Sequence, residues 1–152
     1  MVNKRNFISG PEKTHDLPDD LVAHTPRTIL LLEDNVSLSL MLKEYLESFS
    51  HSVTVVPSGV EGIQKIMAND FDAIVCDMVM PNFPGDMFYR AVERARPHLA
   101  RRFVFMTGHQ GEAKIDAFIR SVRGLILWKP FQFHDLLQAI NSVIRKNRPL
   151  AP

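Results

Sequence analysis

The sequence predicts an α/β fold in which a five-stranded, doubly wound parallel sheet is flanked by helices on both faces. From Arg27 onward, a short apolar run is followed by a segment of helical periodicity five times in succession. Each crossover must return the chain to the same sheet edge and is right-handed, which makes the strands parallel and distributes the helices over both faces. With 152 residues, 45% of them hydrophobic, the chain can bury one core and is expected to form one domain.

The two ends of the chain lie outside this pattern. Residues 1–26 are polar and are interrupted by glycine and proline, so we expect a flexible leader there. The folded domain is expected over 27–148, followed by a short tail at 149–152.

The first half of the folded region predicts three strands and two helices. Its apolar runs are too short for helices and suit strands that are covered on both faces. The strands are expected at 28–33, 52–56 and 72–76. Apolar residues at three- and four-residue steps predict a helix over about 36–49, and Ser58 can cap a second helix that runs to about Asn69. The residues expected to point inward are Leu38, Met41, Leu42, Tyr45, Leu46, Phe49, Ile63, Ile66 and Met67.

The second half predicts two strands and three helices. Pro81, Pro84 and Gly85 force a loop before a helix over about 86–95, which ends ahead of Pro97. The remaining elements are expected as a strand at 102–106, a helix over about 111–122, a strand at 125–128 and a last helix after Lys129-Pro130. The inward faces of the last two helices are expected to carry Ile115, Phe118, Ile119 and Val122, and Phe133, Leu136, Leu137, Ile140 and Ile144.

Composition excludes several classes of function. The formal charge is +1, from 18 Lys and Arg against 17 Asp and Glu, and no dense basic stripe runs along a predicted helix. Direct nucleic-acid binding is therefore not expected. Cys76 is the one cysteine, which indicates a reducing compartment and a buried thiol. No apolar run is long enough for a membrane span or a signal peptide, so we expect a soluble, cytoplasmic chain without membrane insertion.

Four polar residues each follow an apolar strand segment: Asp34, Asp77, Thr107 and Lys129. The carboxyl ends of parallel strands meet along one edge of the sheet, so these side chains are expected to share one pocket. A charged aspartate directly after the apolar run AIVC is costly without a partner, which makes Asp77 the first candidate for chemistry.

An acidic cluster of this kind favours a hard cation. Glu33, Asp34 and Asp77 would repel one another unless a cation lay among them, and oxygen ligands suit Mg²⁺. We therefore expect Mg²⁺ as the cofactor. One carboxylate oxygen of Asp77 would remain available to attack phosphorus.

A phosphoryl group on Asp77 would need neutralisation. Lys129 could supply a positive charge and Thr107 could donate a hydroxyl hydrogen bond. Three backbone amides could meet the remaining oxygens, those of Met78, Val79 and Gly108. No residue is obviously suited to act as a strong base or an arginine finger, which favours a protein that accepts phosphate from a reactive donor rather than from ATP.

Four motifs occur in a fixed order along the chain: Glu33-Asp34, Asp77 in IVCDMVMPNFPG, Thr107 in FMTGH, and Lys129 in WKPF. Asp77 follows Asp34 by 43 residues, Thr107 follows Asp77 by 30, and Lys129 follows Thr107 by 22. In these motifs and spacings, the chain resembles the receiver domain of two-component response regulators over about residues 27–147.

The resemblance implies a flavodoxin-like fold and a phosphorylation-dependent signalling switch. Asp77 would take a phosphoryl group from a histidine kinase or a histidine phosphotransfer protein, and would lose it slowly, without conventional enzymatic turnover. Glu33 and Asp34 would bind Mg²⁺, with the backbone carbonyl of Val79 completing the metal shell. Output would follow from binding a downstream protein through the fourth helix, the last strand and the last helix, and a homodimer is a further option.

Four positions concern the switch or the lifetime of the phosphoryl group. Ile126 stands where the family has Tyr or Phe, which puts the familiar coupling between the threonine and an aromatic ring in question. Trp128 lies on the same strand face, where it packs in the core, contacts a partner or substitutes in the switch. Val79 and His109 occupy places that tune how water reaches the phosphoryl group, and an apolar Val79 predicts slow loss of phosphate.

Three other functions compete with this one. A phosphorylation-independent interaction module would keep the fold, and Ile126 is its main support. A flavin-binding protein of similar topology would need a phosphate-binding loop after the first strand, where EDNVSLS stands instead. A phosphohydrolase with Asp77 as nucleophile would need a second aspartate two residues later, where the chain has Val79.

Overall fold

A computed structural model describes residues 25–108, 111–122 and 124–147. The strands are β1 (Thr28–Leu32), β2 (Ser52–Val56), β3 (Ala73–Asp77), β4 (Phe103–Thr107) and β5 (Leu125–Trp128). The α-helices are α1 (Val36–Glu47), α2 (Gly59–Ala68), α3 (Gly85–Ala95), α4 (Ala113–Ser121) and α5 (Phe133–Lys146), and a 3₁₀ helix spans Pro97–Arg102. The predicted leader and tail fall outside the described residues, apart from Thr25 and Pro26.

The five strands form one parallel sheet in the order β2-β1-β3-β4-β5. The order reverses direction beside β1, so the crossovers that leave β1 and β3 go to opposite sides. A crevice opens at such a point beyond the carboxyl ends of the strands. The predicted fold class is confirmed.

The core has two layers because each strand is apolar on both faces. Leu30 and Leu32 face the layer that α2, α3 and α4 cover, and Leu31 faces the layer covered by α1 and α5. All three leucines are fully buried. This arrangement fixes the strand ends, and therefore the polar residues that follow them.

Aromatic rings dominate the first layer around β4. The Phe105 ring lies 5.1 Å from Phe103, 5.3 Å from Phe118 and 5.6 Å from Tyr89, measured between centroids. These edge and stacked contacts add to the hydrophobic burial of each ring. They connect β4 to both α3 and α4.

Polar side chains cap the N-termini of α1 and α2. Asn35 caps α1 by accepting a 3.0 Å hydrogen bond from the Leu38 amide. Ser58 caps α2 in the same way toward Glu61, at 3.5 Å, as the sequence predicted. No helix of the described residues has the length and apolarity needed to cross a membrane.

The prediction of burial is wrong for two residues. Met41 and Met67 were expected to point inward, but they are 52% and 61% exposed. Each satisfies a three- or four-residue step and lies at the edge of its apolar stripe, where the sheet no longer covers the helix. The 3₁₀ helix before β4 was also missed, since its Pro97 was interpreted only as a helix stop.

Candidate functional site

Three carboxylates meet where β1 and β3 end. Asp77 is the last residue of β3, and Glu33 and Asp34 directly follow β1, its hydrogen-bonded neighbour. Carboxylate oxygens of the three residues all lie within 4.8 Å of one another. Glu33 and Asp77 are buried, whereas Asp34 is exposed. The expected acidic cluster is therefore present at the carboxyl edge of the sheet.

Lys129 reaches this cluster from the end of β5. Its Nζ donates to Asp77 Oδ2 at 2.9 Å and to Glu33 Oε2 at 3.3 Å. Its own backbone amide donates to the Thr107 carbonyl at 2.8 Å, which joins the ends of β4 and β5. The Lys129 side chain is 29% exposed, against 2% for Glu33 and 8% for Asp77, so one ammonium group partly neutralises two buried carboxylates.

Burial and like charge perturb the ionisation of Glu33. Burial first and the neighbouring Asp77 charge second raise the pKa of Glu33 from 4.5 to about 7, against a hydrogen bond from the Asn35 backbone amide and the charge of Lys129. For Lys129, burial opposes the charged form, but the hydrogen bond and charge of Asp77, with those of Glu33, outweigh it and raise its pKa. The site therefore holds more negative charge than one ammonium group can balance.

The second oxygen of Asp77 is held by the chain that follows it. The Val79 amide donates to Asp77 Oδ1 at 3.0 Å, while the Val79 side chain is 48% exposed. Met78 was expected to offer its amide as well, but that amide donates to the Met106 carbonyl at 3.0 Å. In this structure the Met78 amide continues the sheet ladder between β3 and β4, and a contact of this amide with a phosphoryl oxygen stays a prediction.

Thr107 and Gly108 lie at the end of β4, beside β3 and β5. Thr107 is fully buried and is paired with Trp128 across the β4–β5 ladder. A Cβ built on Gly108 would lie 3.7 Å from the Lys129 Cβ, so Gly108 borders the lysine stem. Both residues thus occupy the same edge as the acidic cluster.

Sequence reasoning missed two residues that shape the pocket. A Cβ on Gly85 would lie 2.6 Å from the Asp77 carbonyl oxygen and 2.9 Å from the Met78 Cα, so only glycine lets α3 start this close to β3. The backbone amide of Asn35 donates to Glu33 Oε1 at 3.1 Å. The Pro84-Gly85 pair predicts a loop but not this close approach, and Asn35 follows the acidic pair without a signal of its own.

The remaining candidate positions belong to the interior or lie outside the described residues. Ile126 is 4% exposed, and Trp128 packs partly buried against the same layer. This confirms that the two share a strand face, while a role for Trp128 in a switch or with a partner stays a prediction. His109 lies outside the described residues.

The donor set fits a divalent cation with a preference for oxygen ligands. Three carboxylates each offer one oxygen within 4.8 Å of the others, and Asp34 is exposed to solvent. Burial and the Asp77 charge disfavour the ionised form of Glu33 and raise its pKa. A bound Mg²⁺ would favour the ionised form by adding positive charge beside the carboxylate.

Comparison with known sequences identifies related proteins. The family model described as the response regulator receiver domain matches residues 29–141. The transcriptional regulatory protein RprY of Bacteroides fragilis is 28% identical over 120 residues, which are 79% of this chain and 50% of that protein. The sensor kinase CckA of Brucella abortus is 25% identical over 141 residues, 91% of this chain and 14% of that protein. This chain thus spans half or less of the length of these two relatives.

Solved structures of receiver domains are also similar to this chain. A response regulator receiver domain protein from Clostridium thermocellum matches with a TM-score of 0.70 and 27% identity, covering 78% of this chain and 94% of that one. The receiver domain of the sensor histidine kinase PA1611 from Pseudomonas aeruginosa matches with a TM-score of 0.70 and 23% identity, over 79% of this chain and 98% of that one. That second structure has a magnesium ion coordinated in its active site cleft.

Proposed function

This chain belongs to the receiver domain family of two-component response regulators, and we propose that Asp77 is the phosphoacceptor of its phosphorylation switch. The observation that carries the proposal is the 2.9 Å contact between Lys129 Nζ and Asp77 Oδ2, within the acidic cluster at the sheet edge. Lysine and aspartate come from strand ends 52 residues apart, and both are partly or fully withdrawn from water. A structural ion pair would not need two further carboxylates beside it.

The proposed reaction is transfer from a phosphohistidine. An Asp77 carboxylate oxygen forms a new bond to phosphorus while the P–N bond of the donor breaks, and the electron pair of that bond stays on the imidazole nitrogen. No proton has to be removed from Asp77, so this transfer needs no general base. Lys129 and the Val79 amide already contact the two Asp77 oxygens, and they can follow the new phosphoryl oxygens with small movements.

The other candidate residues have supporting roles. Glu33 and Asp34, with Asp77 and the Val79 carbonyl, would hold Mg²⁺, which neutralises charge between the carboxylates and the entering phosphoryl group. Thr107 and the Gly108 amide would contact phosphoryl oxygens from the end of β4. The exposed Val79 side chain offers no hydrogen bond to an attacking water, so the acyl phosphate should be lost slowly.

Partners follow from the family at a coarser level. Receiver domains pair with histidine kinases or histidine phosphotransfer proteins. We propose such a donor for this chain, in the cytoplasm, and a downstream protein that binds the face formed by α4, β5 and α5. Homodimers on that face are part of the same proposal. Residues 27–148 are proposed as the receiver domain, with residues 1–26 as a leader and 149–152 as a tail.

A second candidate function rests on one observation. Ile126 is buried at 4% exposure where the family has an aromatic ring, so the chain lacks the ring whose inward movement accompanies the familiar switch. A module that binds its partner with or without phosphate would have this feature. The two candidate functions differ in whether phosphorylation changes the affinity of the domain for its partner protein.

Treatment with phosphoramidate and Mg²⁺ tests the proposal, because this reagent carries a P–N bond like that of phosphohistidine. Intact-mass spectrometry should detect one phosphoryl group on the wild-type chain and none on Asp77→Asn. Asp86→Asn is the matched control, since Asp86 lies nearby in the first turn of α3, outside the acidic cluster. Equal labelling of the wild type and Asp77→Asn would overturn the assignment of Asp77.

A further inference from the structure

A groove of about 600 Å³ lies between α3 and α4, on the side of the sheet away from α1 and α5. Ala91 of α3 and Ala117 of α4 both line it, and their short side chains leave the space between the helices unfilled. Phe118 and Met87 add apolar surface, and the Met87 side chain is 50% exposed. The groove therefore offers an apolar floor between the two helices.

One wall of the groove is basic. Arg90 and Arg94 line it one helical turn apart on α3. The Arg90 guanidinium is fixed, since it donates to Ser121 Oγ at 2.9 Å and to Glu93 Oε1 at 3.2 Å, and its Cζ lies 5.6 Å from the centre of the Phe118 ring. Arg94 is exposed. A ligand with carboxylates and apolar side chains complements this combination.

The basic end of the groove lies at the edge of the sheet where the chain enters β1. Just after α3, Arg96 Nη1 donates to the carbonyls of Ile66 at 2.7 Å and Asn69 at 3.2 Å. Three residues after Asn69, Asp72 Oδ2 accepts a 2.9 Å hydrogen bond from the Thr28 amide. The last turn of α3 and the start of β1 are thus joined through the same short segment.

The sequence just before β1 has the matching chemistry. Residues 16–22 read DLPDDLV, with three aspartates among three aliphatic side chains. They lie outside the described residues and end three positions before Thr25. At about 3.3 to 3.6 Å per extended residue, positions 22 and 16 can reach about 10 Å and about 32 Å from Thr25. A tethered segment also has a high effective concentration at the groove.

We propose that residues 16–22 bind in the groove between α3 and α4, with the aliphatic side chains on its apolar floor and the aspartates facing Arg90 and Arg94. The segment would then contact both helices at once. Because α4 buries only Ile115 and Phe118 of its own residues, a ligand that spans the two helices would favour one position of α4. The leader would in this way bias the face formed by α4, β5 and α5.

A spin label tests the contact in the full chain. Cys76 is buried, so Thr14→Cys introduces the reactive thiol for a nitroxide at the distal end of the segment. Methionine methyl NMR then reports proximity. We expect the Met87 methyl signal to lose the most intensity, while Met41 and Met67, which are equally exposed elsewhere, lose little.

Charge variants distinguish binding in the groove from random approach of a tethered spin label. Arg94→Glu should restore the intensity of the Met87 signal. Adding Asp19→Arg and Asp20→Arg to that variant should again reduce the Met87 signal, because the charges on both sides of the contact are then reversed. Arg101→Glu makes the same charge change at an exposed arginine that does not line the groove, and it should have no effect. About 1 M NaCl, where the screening length falls to about 3 Å, should also restore the signal.

Two results would overturn the proposal. Equal loss at Met87, Met41 and Met67, or no loss at any of them, would show that the segment does not bind in the groove. Loss of the Met87 signal only when a separate, spin-labelled and isotopically unlabelled copy is added would show that the occupant comes from a second chain.

Discussion

Replacing Glu33 by glutamine should remove much of the pH dependence of stability near neutrality. The folded-state pKa of Glu33 is about 7, because of burial first and the Asp77 charge second, against 4.5 for an unperturbed carboxyl. At about 1.4 kcal/mol per pKa unit, the difference corresponds to about 3 kcal/mol. The side chain is 2% exposed, so solvent screening reduces this value little.

The sign follows from which state binds the proton. Between pH 4.5 and about 7, folded Glu33 holds a proton that the unfolded chain has already released. Its contribution is therefore fully present below pH 4.5 and is lost as the pH rises through about 7. Glutamine cannot ionise, yet its Oε1 can still accept the hydrogen bond from the Asn35 amide that Glu33 accepts at 3.1 Å.

Urea denaturation with a chelator present measures this difference. We expect the free energy of unfolding of the wild type, relative to Glu33→Gln, to fall by about 3 kcal/mol between about pH 4.5 and about pH 8. Titrating groups far from Glu33 are common to both proteins and cancel in the difference. Parallel stability curves for the two proteins would refute the reasoning, since they would mean that Glu33 ionises as easily in the folded chain as in the unfolded chain.

Three further predictions concern the lifetime of the phosphoryl group, the aromatic layer and the opposite edge of the sheet. Val79→Asn supplies a side chain that can orient water, so the acyl phosphate should decay severalfold faster in a labelled-phosphate assay, and an unchanged lifetime would contradict a role for this position. Phe105→Ala, at a fully buried ring, should lower the free energy of unfolding by about 3 to 5 kcal/mol in urea, and a loss below about 1 kcal/mol would mean that the cavity collapses. Burial, then the Arg27 charge, lower the pKa of His51, so the stability of the wild type relative to His51→Gln should rise as the pH rises toward about 6.5; a difference that does not change with pH would contradict a role for His51.

The fold and the members of the site could be predicted from the sequence because both depend on periodicity and on residue type. Five apolar runs fix the strands, and a parallel sheet then gathers whatever follows Leu32, Cys76 and Trp128 at one edge. The convergence of Glu33 and Lys129, 96 residues apart, needs no knowledge of side-chain detail.

The parts that could not be predicted depend on distances between elements. Periodicity does not show how far the sheet extends over a helix, so Met41 and Met67 were misplaced. The pattern of the sheet ladder decides that the Met78 amide is occupied and the Val79 amide faces Asp77. The space beside Asp77 that only Gly85 fits is likewise a property of packing and not of spacing along the chain.

Trapping the phosphorylated residue tests the central claim most directly. Borohydride reduces an aspartyl phosphate to homoserine, and peptide mass spectrometry then identifies the position. After phosphoramidate and Mg²⁺, we predict homoserine at position 77, and none there when a chelator replaces Mg²⁺ or when Lys129 is changed to methionine at the same labelling time. Homoserine at position 34, or none at position 77 in the presence of Mg²⁺, would contradict the assignment of the phosphoacceptor.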